Sequence, residues 1–588
     1  MDARWVVRAI DPALSEALAR ELSMSSAACA VLVARGVTVA EQARAFLTPR
    51  LDDLHDPFLF KGMEKAARRV LQAVMRREKI LIYGDYDVDG ISSTALLYSL
   101  LKMVDARVSY HVPDRLSEGY GMKPARLLEA AREDVRLVVT VDCGISSVEE
   151  VRRAAGLGMD VVVTDHHEPA GTLPEAVAVI NPKVAGSAYP FRELAGVGVA
   201  FKLAWAIAQS FSPSRKVSQE FRTFLLESLA LVALGTIADV VPLTGENRVF
   251  VKYGLKALES TVNPGLRALL DETGLAGRRL RTSHVAFRIA PRLNAAGRMG
   301  RADLGMQLLT TGSMQEAARV AAELERENRH RQRIESEIFS DAMEKAAASG
   351  RAQDRVVVLA RDGWHPGVTG IVASKLAEEL RRPVILIALD GEIGKGSARS
   401  VADVHIYELL RNCSEKLIGF GGHAFAAGFE IHARDIEVFR MQMECHARQV
   451  VCEEVLRQRL EVDFCAPLEN LTVGAVRELG RLEPYGEGNP EPVFASEGVV
   501  VAGKPHLVGR DGKHLSMLLR SGDAVFRAVG FGLGRILDRL GDLRDVSVAY
   551  VPFISSWGGT DTVELELRDL AGNGRSLVYE DKSGGRGK

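Results

Sequence analysis

From Lys79 onward, short apolar runs alternate with stretches whose apolar residues recur at helical spacing: Ile80 to Tyr83, Ile91 to Val104, Val108 to Val112, Pro124 to Arg132, Leu137 to Val141, Val148 to Ala155, Val161 to Thr164 and Val177 to Ile180. Strand and helix in alternation predict right-handed βαβ units and a mostly parallel sheet, with ligands gathered beyond the carboxyl ends of its strands. Before this region, three alanine-rich helical patterns (Pro12 to Leu22, Ser25 to Arg35, Val39 to Leu47) predict a small helical segment over 1–50. After it, Val197 to Leu270 is mainly helical. Ser313 to Ala348 has few breakers and many paired charges, which predicts one helix of roughly 50 Å, able to bridge two domains, with two shorter helices as the alternative. An α/β pattern restarts at Val356 to Ala360, Gly367 to Leu380 and Val384 to Ala388.

The segment Glu461 to Leu570 loses helical period except at Val473 to Leu482 and Gly532 to Leu540. Its short pieces (Val493 to Val501, Leu515 to Leu519, Ala524 to Phe531, Val546 to Val551, Thr562 to Leu567) predict a small barrel. The expected fold class is therefore α/β. It comprises a parallel-sheet domain over 51–310, a connecting helix over 311–348, a second α/β domain over 349–455, a β-barrel over 456–570 and a flexible tail over 571–588.

Composition narrows this picture without changing it. At 588 residues, 47 % apolar and 26 % charged, the chain is an ordinary globular protein of several domains, and collagen-like or wholly disordered classes are excluded. The longest apolar stretches, as at Leu229 to Leu234, fall short of the roughly 18 to 20 residues of a membrane span, so none is expected. Asp2, Arg4 and Arg8 precede no apolar core of a signal peptide, so the expected location is the cytoplasm. Six cysteines without a C-x-x-C pair fit neither a disulfide framework nor a structural zinc site. Lys plus Arg (75) nearly balances Asp plus Glu (77), which excludes a uniformly basic nucleic-acid coat and leaves room for a local basic groove.

The chemistry gathers where three strand-like runs end. Ile80 to Tyr83 leads into Gly84-Asp85-Tyr86-Asp87-Val88-Asp89-Gly90, Leu137 to Val141 into Asp142-Cys143-Gly144, and Val161 to Thr164 into Asp165-His166-His167. In extended backbone, positions i, i+2 and i+4 share a face, so at least two of Asp85, Asp87 and Asp89 point into one cleft. Unneutralised, these carboxylates repel. Divalent cations remove that cost, and mixed carboxylate and imidazole donors suit Mn²⁺ or Mg²⁺ better than zinc. Any one of these Asp residues alone reads equally well as a turn or helix cap; three at one edge do not. Asp239, in Ala238-Asp239-Val240-Val241-Pro242, is either a fourth contributor or a capped or salt-bridged core residue.

The ordered set GDYDVDG, VDCG, DHH and ADVVPL resembles the DHH phosphoesterase superfamily and, within it, the RecJ family of bacterial single-strand-specific 5′-to-3′ exonucleases. The narrower resemblance rests on Asn294-Ala295-Ala296-Gly297-Arg298, Gly363-Trp364-His365-Pro366-Gly367, Gly396-Ser397-Ala398-Arg399-Ser400, Gly419-Phe420-Gly421-Gly422-His423 and Tyr485-Gly486-Glu487-Gly488-Asn489-Pro490, and it spans roughly residues 40–570. It implies a DHH catalytic domain, a DHH-associated domain and an OB-like barrel. It also implies two Mn²⁺ or Mg²⁺ ions held by Asp87, Asp89, Asp142, His166 and Asp239, with Asp85 and His167 in support. His167 and His423 join the catalytic set. Substrate contacts fall to Arg115, Asn294, Arg298, Ser397, Arg399, Gly421, Gly422 and His423; of these, Arg115, Ser397 and Arg399 hold a 5′-terminal phosphate. One position departs from the superfamily pattern: Tyr83 stands where several members carry a metal-binding histidine.

In the barrel, Phe494, Phe526, Phe531 and Trp557 are candidate stacking platforms, although most of these aromatics are expected in the core, with Lys504, His506, Arg510 and Lys513 as cations nearby in sequence. The implied partners are single-stranded DNA with a 5′ end, a single-strand-binding protein and a DNA helicase, with no membrane. Two rivals stand beside the exonuclease: a phosphodiesterase for short oligonucleotides or cyclic dinucleotides, which has little use for the long helix and barrel, and a non-catalytic DNA-binding scaffold, which has no use for so many clustered carboxylates.

Overall fold

The computed structural model describes residues 3–169, 171–212, 214–401, 404–457, 459–537, 545–557, 559–572 and 578–580; the side chain of Trp557 lies outside the described residues, and of the helical pattern expected at Gly532 to Leu540 the described part forms a 3-10 turn at Gly534–Ile536 while 538–540 lie outside them. The chain forms two compact units, one of 50–456 with 486–488, the other of 1–49, 457–485 and 489–588.

In the larger unit, five parallel strands run in the order Val108–His111, Lys79–Tyr83, Val135–Val141, Asp160–Thr164, Ala178–Ile180. The chain leaves Lys79–Tyr83 toward one edge and then crosses to its other side, so a crevice opens between the carboxyl ends of Lys79–Tyr83 and Val135–Val141. Ile80, Ile82, Leu137 and Val139 pack one face of the sheet on Val88–Met103 and Gly196–Ser210, whereas Leu81, Tyr83, Val138 and Val163 pack the other on Pro124–Arg132 and Val148–Gly156. Burial on both faces explains why these strands read as continuous apolar runs.

Helix Gln219–Ala238 is long and apolar enough to cross a membrane by length and composition, contrary to the expectation from its shorter apolar runs. Its residues Leu229, Val232, Ala233 and Leu234 belong to the same core as Val88–Met103, and a helix buried on most sides is apolar on most sides.

The helix expected between the two α/β domains is continuous from Met314 to Ala348, 35 residues and about 52 Å long. Ser313 caps it by accepting from Glu316 N at 3.3 Å. Its first half (Ala317, Val320, Ala321, Leu324) completes the first core; its second half (Ile338, Ala342, Ala346) packs on the second α/β domain. That domain holds a mixed sheet in the order Leu417–Gly422, Ala426–His432, Ile393–Arg399, Val384–Asp390, Val357–Asp362, with helix Pro366–Leu380 against it.

The smaller unit contains the expected barrel. Phe494–Val508, His514–Ser521, Ala524–Gly530, Thr560–Gly572 and Asp545–Trp557 pair in succession, and Asp545–Trp557 closes back on Phe494–Val508. Two expectations are corrected here. The N-terminal segment does contain helices Pro12–Leu22, Ser26–Ala34 and Ala40–Leu47, but it begins with strand Arg4–Arg8, and Leu18, Val31, Leu32 and Leu47 share a core with Phe494, Leu515 and Leu565. The tail is not wholly flexible: Val578–Glu580 pairs in parallel with Arg4–Arg8, whose other edge is taken by Arg459–Val462. A short apolar strand amid glycine and charge is legible only once its partner is known. All six cysteines are free, as expected.

One buried charge pair locks the loop that enters the larger unit. Lys202 Nζ donates to Glu246 Oε1 and to His55 O, both at 2.6 Å; Tyr189 Oη donates to Glu246 Oε2 at 2.6 Å, and His55 N to Glu246 Oε1 at 2.8 Å. Both charged side chains are buried. Removing one partner strands the other, so Lys202→Met is expected to cost about 3–5 kcal/mol, and the double variant Lys202→Met/Glu246→Gln less than that. Urea unfolding measures both; equal cost for the single and double variants would contradict this account.

Candidate active site

The chain becomes helical sooner after Tyr83 than extended alternation requires. Asp87 is the cap of Val88–Met103, its Oδ1 accepting from Asp89 N at 2.9 Å and Gly90 N at 3.1 Å, and Asp89 lies in the first helical turn. The three carboxylates therefore diverge, each to a different neighbour, instead of sharing one strand face. Asp89 reaches across to the start of Gly196–Ser210 and accepts from Gly196 N at 2.7 Å and Val197 N at 2.8 Å. Asp142 follows strand Val135–Val141 with a left-handed backbone (φ 60°). Asp165 accepts from Ile145 N, His166 N, His167 N and His167 Nδ1, so it orients the two histidines and has little capacity left for a ligand. Asp239 ends helix Gln219–Ala238.

These side chains meet in three overlapping groups, within each of which the donor atoms lie no more than 4.8 Å apart: Asp85, Asp87 and Asp142; Asp89, His166 and Asp239; Asp142, His166 and His167. Asp142 Oδ1 is 3.2 Å from His166 Nε2, which is 3.6 Å from Asp239 Oδ2, so Asp142 and His166 link the groups. Asp85, read from sequence as a supporting residue, stands in a full three-donor group. Tyr83 belongs to none of them: it is buried, its hydroxyl accepts from Lys123 N at 3.1 Å, and it packs in the apolar layer with Leu81 and Leu127.

The donor set fits a pair of hard divalent cations. Asp85 Oδ1, Asp142 Oδ1 and both ring nitrogens of His166 are buried without a hydrogen-bond partner, an arrangement that costs about 1–3 kcal/mol for each group unless a ligand satisfies it. Burial and neighbouring carboxylates hold Asp85, Asp142 and Asp239 well above the usual carboxylate range and push Asp89 up to about 7. Burial, then the adjacent His167, pushes His166 down to about 3, leaving the imidazole neutral and free to ligate. His167 is lifted to about 9 despite burial by its 2.7 Å bond to Asp165; Tyr120 Oη also lies 3.1 Å from its Nδ1.

Two glycines that sequence reasoning did not single out make room for the carboxylates. A Cβ at Gly196 would lie 2.3 Å from Asp142 Oδ1, and one at Gly235 would lie 2.5 Å from Asp89 Oδ1. The signal was available as small residues within otherwise bulky helices, but nothing local says which side chain needs the space.

A cationic group occupies the same unit. Arg298 is pushed down to about 9 by burial and by Arg115, Arg399 and Arg331, against the pull of Asp87. Its Nη1 donates to Gly367 O at 3.2 Å, and the Arg115 guanidinium lies 5.0 Å over the Tyr86 ring. Arg399 is lowered by burial and by Arg115, and it packs over Gly370; a Cβ there would come within 2.8 Å of its Nη2. Ser397 Oγ is 3.2 Å from Thr369 Oγ1. The structure thus brings Arg115, Arg298 and Arg399 together, with Asp87 close enough to act on Arg298.

Asn294 is anchored by accepting from Val88 N at 3.2 Å. Gly421, Gly422 and His423 are exposed at the tip of the hairpin Leu417–Gly422/Ala426–His432, outside all three donor groups. In the barrel, Phe494 and Phe526 are buried core residues, as expected of most of these aromatics: Phe494 stacks on Tyr550. Phe531 is exposed beside His514, and Lys504, His506, Arg510 and Lys513 line the same stretch of the barrel, largely open to solvent.

This combination of parallel sheet, acidic crevice and linked second domain is that of the DHH superfamily. Residues 79–236 match the DHH family N-terminal domain, 353–445 the DHHA1 domain and 462–569 the RecJ OB domain. The single-stranded-DNA-specific exonuclease RecJ of Bacillus subtilis is 38 % identical over 570 residues, covering 97 % of this chain and 71 % of the relative. The crystal structure of RecJ from Thermus thermophilus in complex with Mn²⁺ aligns with a TM-score of 0.83 at 32 % identity, over 98 % of this chain and 80 % of that one; the Mg²⁺ complex from the same organism aligns at 0.77 and 30 %, with the same coverage. The chain belongs to the RecJ family.

The raised carboxylates set a pH dependence. Their folded values exceed the unfolded value of about 3.9, so the stability they confer is present below that pH and is lost as pH rises through the folded values, near 7 for Asp89 and above the usual range for Asp85, Asp142 and Asp239. In chelator, the thermal midpoint should fall over this window, and the gain on adding Mn²⁺ should be larger at pH 8 than at pH 5. Asp142→Asn in chelator at pH 8 should melt above the parent. A gain from Mn²⁺ independent of pH, with Asp142→Asn melting below the parent, would refute the assignment.

Proposed function

We propose that this protein is a single-strand-specific DNA exonuclease that hydrolyses phosphodiester bonds with two divalent cations, Mn²⁺ or Mg²⁺, attacks from the 5′ end and releases 5′-mononucleotides. The observation that carries the reading is the gathering of an acidic donor set and a triad of arginines in one compact unit, with Asp87 acting on Arg298. RecJ relatives that cover most of the chain support the substrate class.

In this reading Asp85, Asp87 and Asp142 hold one cation, and Asp89, His166 and Asp239 the other, with Asp142 between them. When bound, the cations supply the acidity that makes a water nucleophilic and the charge that stabilises the attacking and leaving oxygens of an in-line displacement at phosphorus. The protein's own groups do the rest. Asp165 holds His167 by Nδ1, which leaves Nε2 as the nitrogen able to give a proton to the leaving oxygen. Arg115, Arg298 and Arg399, with the Ser397 hydroxyl, bind the 5′-terminal phosphate; guanidinium forks match its oxygens, and a terminal phosphate carries more charge than an internal diester. Gly421, Gly422 and His423 approach the substrate from the hairpin of the second domain. The barrel, through Phe531 and its cations, holds more distant parts of the strand.

The family resemblance supports a cytoplasmic role in DNA recombination and repair, alongside a helicase and a single-strand-binding protein. A phosphodiesterase for short oligonucleotides would have less need of the barrel.

Two substitutions test the reading. Asp142→Ala or His166→Ala should lower hydrolysis of single-stranded DNA far more than tenfold while the fold persists, because either change touches two donor groups; activity within about tenfold of the parent, some 1.4 kcal/mol of barrier, would refute it. Arg399→Ala should reduce the rate on 5′-phosphorylated strands on the order of 10- to 150-fold more than on 5′-hydroxyl strands, as expected of a charge-assisted bond of roughly 1.5–3 kcal/mol. Equal slowing of both strands would move the 5′-phosphate pocket elsewhere.

A further inference from the structure

One residue beside the acidic donors is held in a backbone conformation that its side chain opposes. Of the eight non-glycine residues with positive φ among the described residues, Val240 (φ 59°) alone is β-branched, and a branched Cβ suits that backbone least. Its side chain is 64 % exposed, so burial gives nothing in return. Val240 directly follows Asp239, which belongs to one donor group with Asp89 and His166. Strain of this kind persists only where the surroundings impose it.

The constraint comes from both sides. Upstream, Asp239 N donates to Gly235 O at 2.9 Å and so stays fixed to the end of helix Gln219–Ala238. Downstream, Pro242 disfavours helical backbone at Val241, so the change of direction falls on Val240. The residues that follow are held twice. Asn247, fully buried, donates through Nδ2 to Pro242 O at 3.0 Å and to Glu193 O, close in sequence to the Gly196 N–H that holds Asp89. Leu243, buried in the first core, donates from its backbone N–H to Glu487 O at 2.7 Å. Gly486–Gly488 belongs to the larger unit and lies hard against this segment. A Cβ at Gly486 would come within 2.6 Å of Leu243 Cδ1, and one at Gly488 within 3.0 Å of Pro242 Cβ. The tripeptide is the middle of the motif Tyr485 to Pro490, which contributes no donor to the three groups.

We propose that Asn247 and Gly486–Gly488 form a clamp that holds Val240 in its strained turn and thereby aims the Asp239 carboxylate at the cation shared with Asp89 and His166. These are positioning residues, acting through Pro242 and Leu243. The proposal rests on the two-cation reading and deepens it by naming what sets the affinity of one of the two sites. Once the clamp loosens, Val240 leaves the left-handed region and Asp239 turns with it. Only the molecules that retain the turn then bind that ion, and its apparent affinity falls by the fraction retained. The site of Asp85, Asp87 and Asp142 draws its donors from other segments and keeps its ion.

Mn²⁺ uptake by the full chain, measured by equilibrium dialysis, tests the clamp without turnover. The parent should bind two ions. Gly486→Ala and Asn247→Ala should each weaken one of the two by roughly 10- to 100-fold, the range for residues that orient metal ligands, and leave the other unchanged; two variants are used so that if either fails to fold the other decides. Glycine adopts positive φ without steric cost, so Val240→Gly alone should bind both ions as the parent does. Added to Gly486→Ala or Asn247→Ala, it should recover roughly tenfold or more of the lost affinity, a repair that general damage to the fold would not allow. Parent-like affinity for both ions in Gly486→Ala and Asn247→Ala, equal weakening of both ions in Gly486→Ala, or no recovery on adding Val240→Gly would overturn the clamp and leave the two-cation reading intact. A parent that takes up fewer than two ions would refute that reading, and the clamp with it.

Discussion

Everything at the carboxyl edge of the first sheet is arranged around mutual repulsion. Asp85, Asp87, Asp89, Asp142 and Asp239 are drawn into one crevice, and backbone donors offset only part of the cost: two N–H groups each for Asp87 and Asp89. Asp142 sits among the others with a left-handed backbone and an unpaired Oδ1, and Val240, next to Asp239, also has positive φ. Such positions cost on the order of 1–3 kcal/mol each and persist only where the surroundings impose them. Divalent cations convert this liability into a site. The neutral His166, the Asp165-held His167 and the two glycines that admit the carboxylates are the fittings that make the conversion local.

The opposite charge is supplied by other parts of the same unit. Arg115 comes from a loop of the first domain, Arg298 from the helix beyond Ile289 and Arg399 from the last residue of strand Ile393–Arg399 in the second domain. No pair of them gains from proximity, so their gathering, like that of the carboxylates, anticipates a charged ligand. The connecting helix Met314–Ala348 lets the two domains share this task, since its halves belong to different cores. Between those halves lies a buried polar step, where Arg331 donates to Glu335 and, at 2.9 Å, to Asn328 Oδ1.

Much of this was legible in the chain. The parallel sheet, the long helix, the second α/β domain and the barrel follow from periodicity, and the convergence of Asp85, Asp142 and the His166 loop follows from three strand ends on one edge. What local pattern could not show was geometry that depends on distant partners. The GDYDVDG run looks extended but caps a helix at Asp87. Asp85 looked secondary because nothing in sequence says that Tyr83 turns its hydroxyl to Lys123. The strand Arg4–Arg8 and its partner Val578–Glu580 lie at opposite ends of the chain, and neither is identifiable without the other. Phe494 and Phe526 carry the same letters as a stacking platform and as a core residue; only burial separates them.

The central claim is that Asp142 is common to two cation sites, and diffraction from crystals soaked in Mn²⁺ tests it most directly. Anomalous difference maps should show two peaks in the crevice, both with Asp142 as a ligand, one joined by Asp85 and Asp87 and the other by Asp89, His166 and Asp239. A single peak, or a pair that leaves Asp142 without contact to either ion, would contradict the account.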